Sequence, residues 1–509
     1  MIFKVYKSEN VLKIFFSTYI GVSLILCIAL LFGLLVGSNL SVTFLGIMFL
    51  LVNSLLSLSY KFQKNSFSIL FCFFTLLFIN IPIVFVILKG GDYIFGYGVA
   101  PIPYSQDEYK SSLPFGIAFL TISWFAIWLG VVLSSTKQAV LNYGNFEKVR
   151  VLPVFIISVF VLIVAWQSNQ SIVNAQLEST NKIVSLLPFI FSDAAFLLLA
   201  GMILFSKLSL LKNIKDNNIL NLLSFIFFLF MVVQYISAGG KGAIMQISMV
   251  LILIPFALLV SYKDTKIAIP KIKYIYFFIL LAPLLYYIVS IQRISLGSNI
   301  EPDLGTLLNS LALFKFDDIS GIFNNILYRL TSGGLDRFLL VFHSFVFDSY
   351  NFNTTLDFIL YISKNTLNLL LPGTPFIEAY APSSQLFPYV ISNLPMNGEF
   401  TPSKLVRSLN TQPYTIFGIF MIFFGLLSPF FLCIFTFFYI KLYFLMNSLL
   451  VRLVMLMFFT LVLSSFGIEV SLANSIHLFV SMLFMFYLLL YLSRFRLGLF
   501  KINAITIKR

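Results

Sequence analysis

Apolar runs of about 20 residues recur along most of this chain, and they limit its fold more than any other feature. A helix of about 20 residues crosses a hydrocarbon core of roughly 30 Å, so such runs predict membrane-spanning helices. The chain is 60% hydrophobic and contains 61 Phe, and its mean hydropathy is +0.99. A soluble domain of that composition would aggregate. The sequence therefore predicts an all-α, polytopic integral membrane protein.

Hydropathy predicts about 12 transmembrane helices. The predicted spans are 12–36, 40–58, 68–88, 113–133, 151–167, 186–206, 218–237, 243–260, 274–291, 416–440, 448–466 and 474–492. The first span follows three lysines, as a signal peptide would, but it is too long for an h-region and lacks a small-residue cleavage site. All three cysteines lie inside apolar runs, which predicts small buried hydrophobes without disulfides.

Basic residues predict the orientation of these spans. With a cytoplasmic N-terminus, 22 of the 33 basic residues fall in cytoplasmic segments, Lys441 and Arg452 among them. Acidic residues follow the opposite distribution. The positive-inside rule is then satisfied at each cytoplasmic segment, with both termini cytoplasmic. The net charge of +14 is explained by this topology and by contact with anionic lipids, so nucleic acid is not an expected partner.

The long segment between the ninth and tenth predicted spans divides the chain into three parts. Residues 1–291 form an N-terminal membrane domain, 292–415 a large external loop subdomain, and 416–509 the last spans and a cytoplasmic tail. A structureless loop of about 120 residues is improbable, so the subdomain should be folded. Its apolar stretches 335–347 and 355–371 suit interfacial or re-entrant helices.

All arginines predicted to lie on the outer side belong to this subdomain: Arg293, Arg329, Arg337 and Arg407. Arginine stays charged at any relevant pH, and its planar fork matches phosphate oxygens bidentately. Four of them at a membrane–water boundary, beside Ser, Thr and Gly, predict a site for an anionic head group such as a lipid diphosphate. The alternative is that they pair with acids of the same subdomain and only stabilise it.

Lys241 and His343 are two further candidates. Lys241 lies in "YISAGGKGAI", a predicted external turn in which glycines allow close helix approach and a following helix N-terminus offers amide donors. The alternative is a glycine hairpin with a snorkelling lysine. His343, in "LDRFLLVFHSFVF", suits a proton acceptor for a sugar hydroxyl. Its alternative is a hydrogen-bonded histidine that fills space on an apolar helix face.

Three features together resemble the Wzy-type O-antigen or oligosaccharide repeat-unit polymerases. About a dozen spans accompany a single large external loop late in the chain. "SAGGKGA" resembles the Ser-Gly-x-Arg/Lys-Gly turn of that family, and Arg407 with Gly418 is similar to its Arg-x10-Gly element. The second external copy departs from the pattern, because eleven residues separate Arg293 from Gly305. The motifs cover about a third of the chain.

The resemblance implies a GT-C-like glycosyltransferase of the bacterial inner membrane, with its active site on the outer face. It implies an undecaprenyl-diphosphate-linked glycan as donor, a single undecaprenyl-diphosphate-linked repeat unit as acceptor, and a chain-length-determining co-polymerase as a further partner. Arginines would stabilise the leaving diphosphate without a metal or other cofactor. The base that receives the acceptor hydroxyl's proton would be His343, Asp336 or Glu399. One displacement would invert the anomeric centre.

Two other functions fit parts of the pattern. A flippase or transporter of the same lipid-linked units should show two similar halves and charges deep within its spans. This sequence has no such halves, and one loop dominates it. Metal-dependent periplasmic glycosyltransferases carry paired acids in the first external loop, which here is only "VGSNLS". An O-antigen ligase remains an alternative.

Overall fold

The computed structural model describes residues 3–88, 106–134, 199–206, 253–260, 266–270, 335–346 and 415–463, with short pieces near 154–159, 222–229 and 483–491 and the single position 363. Within these residues the chain is helical except for two short strands. The elements are β1 (Phe3–Lys7), α1 (Ser8–Leu35), α2 (Leu40–Ser57), α3 (Tyr60–Gln63), α4 (Ser66–Thr75), a π-turn (Leu76–Asn80), α5 (Ile81–Leu88), α6 (Gln106–Leu133), α7 (Ile254–Val260), β2 (Lys266–Pro270), α8 (Leu335–Val346), α9 (Thr415–Phe424), a 3-10 turn (Gly425–Leu427), α10 (Ser428–Leu445) and α11 (Leu449–Leu463).

Five helices of the described part are long and apolar enough to cross a membrane. They are Ser8–Leu35, Leu40–Ser57, Ser66–Leu88, Lys110–Leu133 and Gly425–Leu445. The first four coincide with the first four predicted spans, which confirms a multi-pass membrane protein. Helix α11 corresponds to the predicted span 448–466, and helical residues 199–206 and 254–260 match the ends of two others. The remaining predicted spans, and the predicted helix 355–371, lie almost wholly outside the described residues.

Helices α1, α2 and α5 pack side by side because glycines let them approach. Gly37, with φ 99°, turns the chain between α1 and α2, and the Asn39 side chain accepts the backbone N–H groups of Ser41 and Val42 at the start of α2. A Cβ built at Gly46 would lie 2.6 Å from Cδ1 of Ile87, a distance that real side chains essentially never show. An alanine at position 46 would therefore require the Ile87 side chain to shift.

Helix α6 connects the two halves of the described structure. It packs against α2 on one side and against α8 and α10 on the other. A Cβ at Gly130 would come within 2.7 Å of the Cys433 carbonyl oxygen and 2.9 Å of Cβ of Thr436. The two backbones are therefore nearly in contact, as is common where small residues line helix interfaces in membranes. Trp124 lies beside them, fully buried against Phe62 and Phe71.

The predicted continuous span 416–440 is wrong, because the chain reverses direction inside it. Phe424 stacks on Phe431 with ring centroids 4.0 Å apart, and Phe420 lies 5.3 Å from Phe435. In a continuous helix, residues fifteen apart would be separated by about 22 Å. Helices α9 and α10 therefore form an antiparallel hairpin. Its turn requires Gly425, which adopts φ 54°, a conformation that side chains with a Cβ rarely tolerate. The spanning helix is Gly425–Leu445.

Arg452, predicted from the sequence to lie on the cytoplasmic side, is a buried cation beside the connection between α10 and α11. Arg452 lies within α11 and is 0% exposed. Its Nε donates to the Met446 carbonyl at 2.7 Å, and its Nη2 donates to the Phe444 carbonyl at 3.1 Å. The guanidinium also faces the rings of Tyr443 and Phe444. The side chain thus satisfies carbonyls at the C-terminal end of α10, where the helix dipole favours a cation.

The paired strands give information on topology. β1 and β2 form an antiparallel two-stranded sheet in which Val5 is opposite Ala268 and Lys7 opposite Lys266. An isolated pair of strands cannot lie in lipid, because the unpaired edges would expose backbone polar groups. The N-terminal segment and 266–270 therefore lie on the same side of the membrane. The predicted topology has this property, since it places both segments in the cytoplasm.

A disulfide scan tests this pairing. In a variant with the three native cysteines replaced by alanine, Val5→Cys combined with Ala268→Cys should form a disulfide, because opposed antiparallel residues have Cα atoms about 4.5–5.5 Å apart. Mass spectrometry of the digested protein would detect the linked peptides. Val5→Cys with Ile267→Cys is the matched control, since neighbouring strand residues point to opposite faces. Equal linking in both variants would contradict the register.

Candidate functional site

The candidate site is built around α8, the described helix of the predicted external subdomain. The helix predicted for 335–347 is confirmed at Leu335–Val346. Its buried residues Leu335, Phe338, Leu339 and Phe342 follow the spacing of one helical face. This face packs against α6 and α9. The subdomain therefore contributes at least one helix that rests directly on a membrane-spanning helix.

The contact between α8 and α6 is aromatic and close. Phe119 of α6 lies 6.3 Å from Phe338, with rings stacked, and 5.6 Å from Phe342. One helical turn before Phe119, a Cβ at Gly116 would collide with the side chain of Leu339. Gly116 thus lets α8 settle onto the first half of α6. Because rings and glycine interlock, the position of α8 along α6 is well determined.

His343 lies on the packed face of α8. It follows Leu339 by four residues, so it continues the buried stripe, and it is only 4% exposed. It belongs to the last turn of the described helix. A substrate hydroxyl would have to reach this ring between α8 and its neighbours. The position fits a shielded proton acceptor and also the hydrogen-bonded packing residue given above as its alternative.

Asp336 and Arg337 belong to the first turn of α8, at the end of the helix opposite to His343. Seven residues separate Asp336 from His343, which is two turns or about 10 Å along the axis. Asp336 and His343 are thus alternatives as the base, since they lie about 10 Å apart along one helix.

Helix α9 brings a second motif to α8. It carries Gly418, which ends the Arg-x10-Gly element, and it packs against α8. Residues about 75 positions apart in the chain are thus joined in one contact. The other predicted site residues lie outside the described residues: Lys241, Arg293, Arg329, Glu399 and Arg407. Their placement therefore stays a prediction.

Sequence reasoning missed a group of buried polar residues within the first spans. Asn53 of α2 donates through Nδ2 to Oδ1 of Asn80 at 3.1 Å, and Nδ2 of Asn80 donates to the Tyr19 hydroxyl at 3.5 Å. All three residues are at most 2% exposed. The available signal was an asparagine inside each of two apolar spans. Arg452 gave the same kind of signal, a charge inside a predicted span.

Comparisons with known proteins found no similar protein. No protein-family model matches the sequence, and the chain matches no curated protein and no solved structure. We therefore infer a function from the motifs of this chain and from the contacts that bring them together.

Proposed function

We propose that this chain is a membrane-embedded polymerase of lipid-linked oligosaccharide repeat units. It would transfer a glycan from undecaprenyl diphosphate to the terminal sugar of another undecaprenyl-diphosphate-linked unit, with a GT-C-like arrangement of spans. The observation that carries the proposal is the contact between α8 and α9. It joins the helix containing Asp336, Arg337 and His343 to the helix containing Gly418 of the Arg-x10-Gly element.

The position of α8 supports a reaction at the membrane surface. Its apolar face packs on α6, a helix of spanning length. A lipid diphosphate has its head group at the boundary between lipid and water, so the enzyme needs cations at that depth. Arg337 belongs to a helix fixed to the bundle, which favours preorganised contact with the diphosphate over contact through a mobile loop.

The proposed reaction balances without an added reagent. The bond between C1 of the donor sugar and the diphosphate oxygen breaks, and its electron pair leaves with the diphosphate. The acceptor hydroxyl oxygen forms the new bond to C1 from the opposite face, so the anomeric centre inverts. The hydroxyl proton passes to a base, His343, Asp336 or Glu399 in this proposal. Arginine forks hold the departing diphosphate as its negative charge increases.

Deleting the gene and resolving the surface polysaccharide on a gel tests the function directly. A polymerase deletion should abolish the ladder of long chains while a single capped repeat unit remains, because synthesis and export of one unit do not need polymerisation. Loss of every capped species would instead indicate a flippase or a ligase. Restoring the ladder with the intact gene is the necessary control.

Arg337 and Arg407 should act through geometry as well as charge. Arg337→Lys or Arg407→Lys, expressed in the deletion strain, should strongly shorten the ladder, because an ammonium group cannot replace bidentate binding of phosphate oxygens. Lys441→Arg is a matched control, since Lys441 is exposed on α10 and the exchange keeps its charge. Normal ladders from both lysine variants at normal protein abundance would show that neither arginine binds the diphosphate through its fork.

His343→Gln separates a base from a packing residue. Glutamine retains much of the volume and hydrogen bonding of histidine but has no basicity near neutral pH. If His343 is the base, turnover should fall by about 10²–10⁴-fold, the usual contribution of a positioned proton acceptor. Protein abundance and lipid-linked substrate binding should stay near normal. A rate close to that of the native protein would leave Asp336 and Glu399 as the candidates for the base.

A further inference from the structure

Helices α1, α2 and α5 share a closely packed layer at Gly46. A Cβ at that position would meet Cδ1 of Ile87 at 2.6 Å and Cδ1 of Leu30 at 3.2 Å. Leu30 belongs to α1, Gly46 to α2 and Ile87 to α5, so the three residues lie at one level of the bundle. This contact gives the register between the three helices.

A second layer follows from the same register. Seven residues from Leu30 toward the start of α1 is Ser23, and seven residues from Gly46 toward the end of α2 is Asn53. Seven residues before Ile87 is Asn80, at the end of the π-turn. Seven residues are nearly two helical turns, so each lies on the same face as its counterpart in the first layer. Asn53 and Asn80 are in hydrogen-bond contact, and from the register we infer that Ser23 lies at the same level.

Hydrogen bonds link the two asparagines of this second layer to each other and to α1. Asn53 donates to Asn80, and Asn80 donates to the hydroxyl of Tyr19, which lies one turn before Ser23 on α1. Exchanging O and N in both amides would reverse the chain of bonds. Asn53 would then accept from Asn80 through its oxygen, and its own amide nitrogen would be left over. In either direction, one amide atom of Asn53 needs a partner from outside this chain of bonds.

Two buried oxygens face this layer and are not satisfied by the described residues. Oδ1 of Asn53 and Oγ of Ser23 have no hydrogen-bond partner there, although their residues are 1% and 0% exposed. Some buried hydroxyls bond to their own helix, as Oγ of Ser54 does to the Leu50 carbonyl at 2.7 Å. The hydroxyls of four other buried residues also have no partner among the described residues: Ser123, Ser206, Ser428 and Thr436. A buried polar atom without a partner costs about 1–3 kcal/mol. Two of them in one layer are therefore an unusual arrangement for mere packing.

We propose that Oγ of Ser23 and Oδ1 of Asn53 together bind a small ligand that presents positive charge to them, either a water molecule or a monovalent cation. Such a ligand would satisfy both oxygens at once and would join α1 to α2 between the apolar layers. The site is independent of the polymerase reaction, since none of its residues belongs to the motifs discussed above.

The chemistry of the layer limits the ligand. Tyr19, Ser23, Asn53 and Asn80 are all neutral, and sites for divalent cations are normally built with carboxylates. An anion would need donors, whereas in the hydrogen-bond direction of the structure the unsatisfied atom of Asn53 is Oδ1, an acceptor. The layer also lies near the middle of α1, because Ser23 is the sixteenth residue of Ser8–Leu35. A polar group at that depth, inside the bundle rather than facing lipid, is typical of functional positions in membrane proteins.

A high-resolution cryo-EM map of the whole protein in lipid nanodiscs tests the site. The proposal expects a density peak within hydrogen-bond distance of both Oγ of Ser23 and Oδ1 of Asn53. A map that resolves other buried waters but has no peak between these oxygens would overturn it. The wild-type chain is used, so failure of a variant to fold cannot obscure the result.

Melting temperatures measured in NaCl, KCl and choline chloride at equal ionic strength identify the ligand. A rise with one metal cation but not with choline, lost in Ser23→Ala, assigns a monovalent cation. A peak in the map without such a salt effect assigns water. Ser54→Ala is the matched control, because its hydroxyl is satisfied by its own helix, and it should keep any salt effect. A salt effect that persists in Ser23→Ala comes from a cation elsewhere and counts against the cation at this site.

Discussion

The approach of α6 to α10 at Gly130 is the contact on which the described structure depends most. At 2.7 Å from a built Cβ, the Cys433 carbonyl leaves no room for any side chain. Fourteen residues earlier on the same helix, Gly116 leaves room for Leu339 of α8. In lipid, where apolar surface gains little by being buried, such close backbone packing supplies much of the association between helices. Helix α6 thus contacts both α10, the spanning helix of the hairpin, and α8, the helix of the candidate site.

The sequence predicted the parts of the fold that depend on hydropathy alone. The first four spans were correctly placed because long apolar runs bounded by polar residues have few alternatives in a bilayer. The span at 416–440 was misplaced because apolar residues continue through the turn, and hydropathy does not register a positive φ at Gly425. The local contacts of Arg452 were not predictable for a related reason. Its partners are the carbonyls of Phe444 and Met446, which composition does not reveal.

The candidate site was predictable as a list of residues and not as an arrangement. The helix at Leu335–Val346 and the burial of its apolar stripe follow from spacing in the sequence. Its contact with Phe119, more than 200 residues earlier, does not, because pairing between distant helices depends on shape. The layer of Ser23, Asn53 and Asn80 was not predictable from the sequence for the same reason. Each residue looks like a minor interruption of an apolar run until the register of three helices places them together.

The reversal at Gly425 has a consequence for how helix movements are coupled. Helix α9 folds back on α10 through the stacked rings of Phe424 and Phe431. Helix α8 packs against α9 and α6, and α6 packs against α10. These four helices therefore form a closed ring of contacts. A displacement of the candidate-site helix must break its contact with α6 or with α9, or it must move the spanning pair as well.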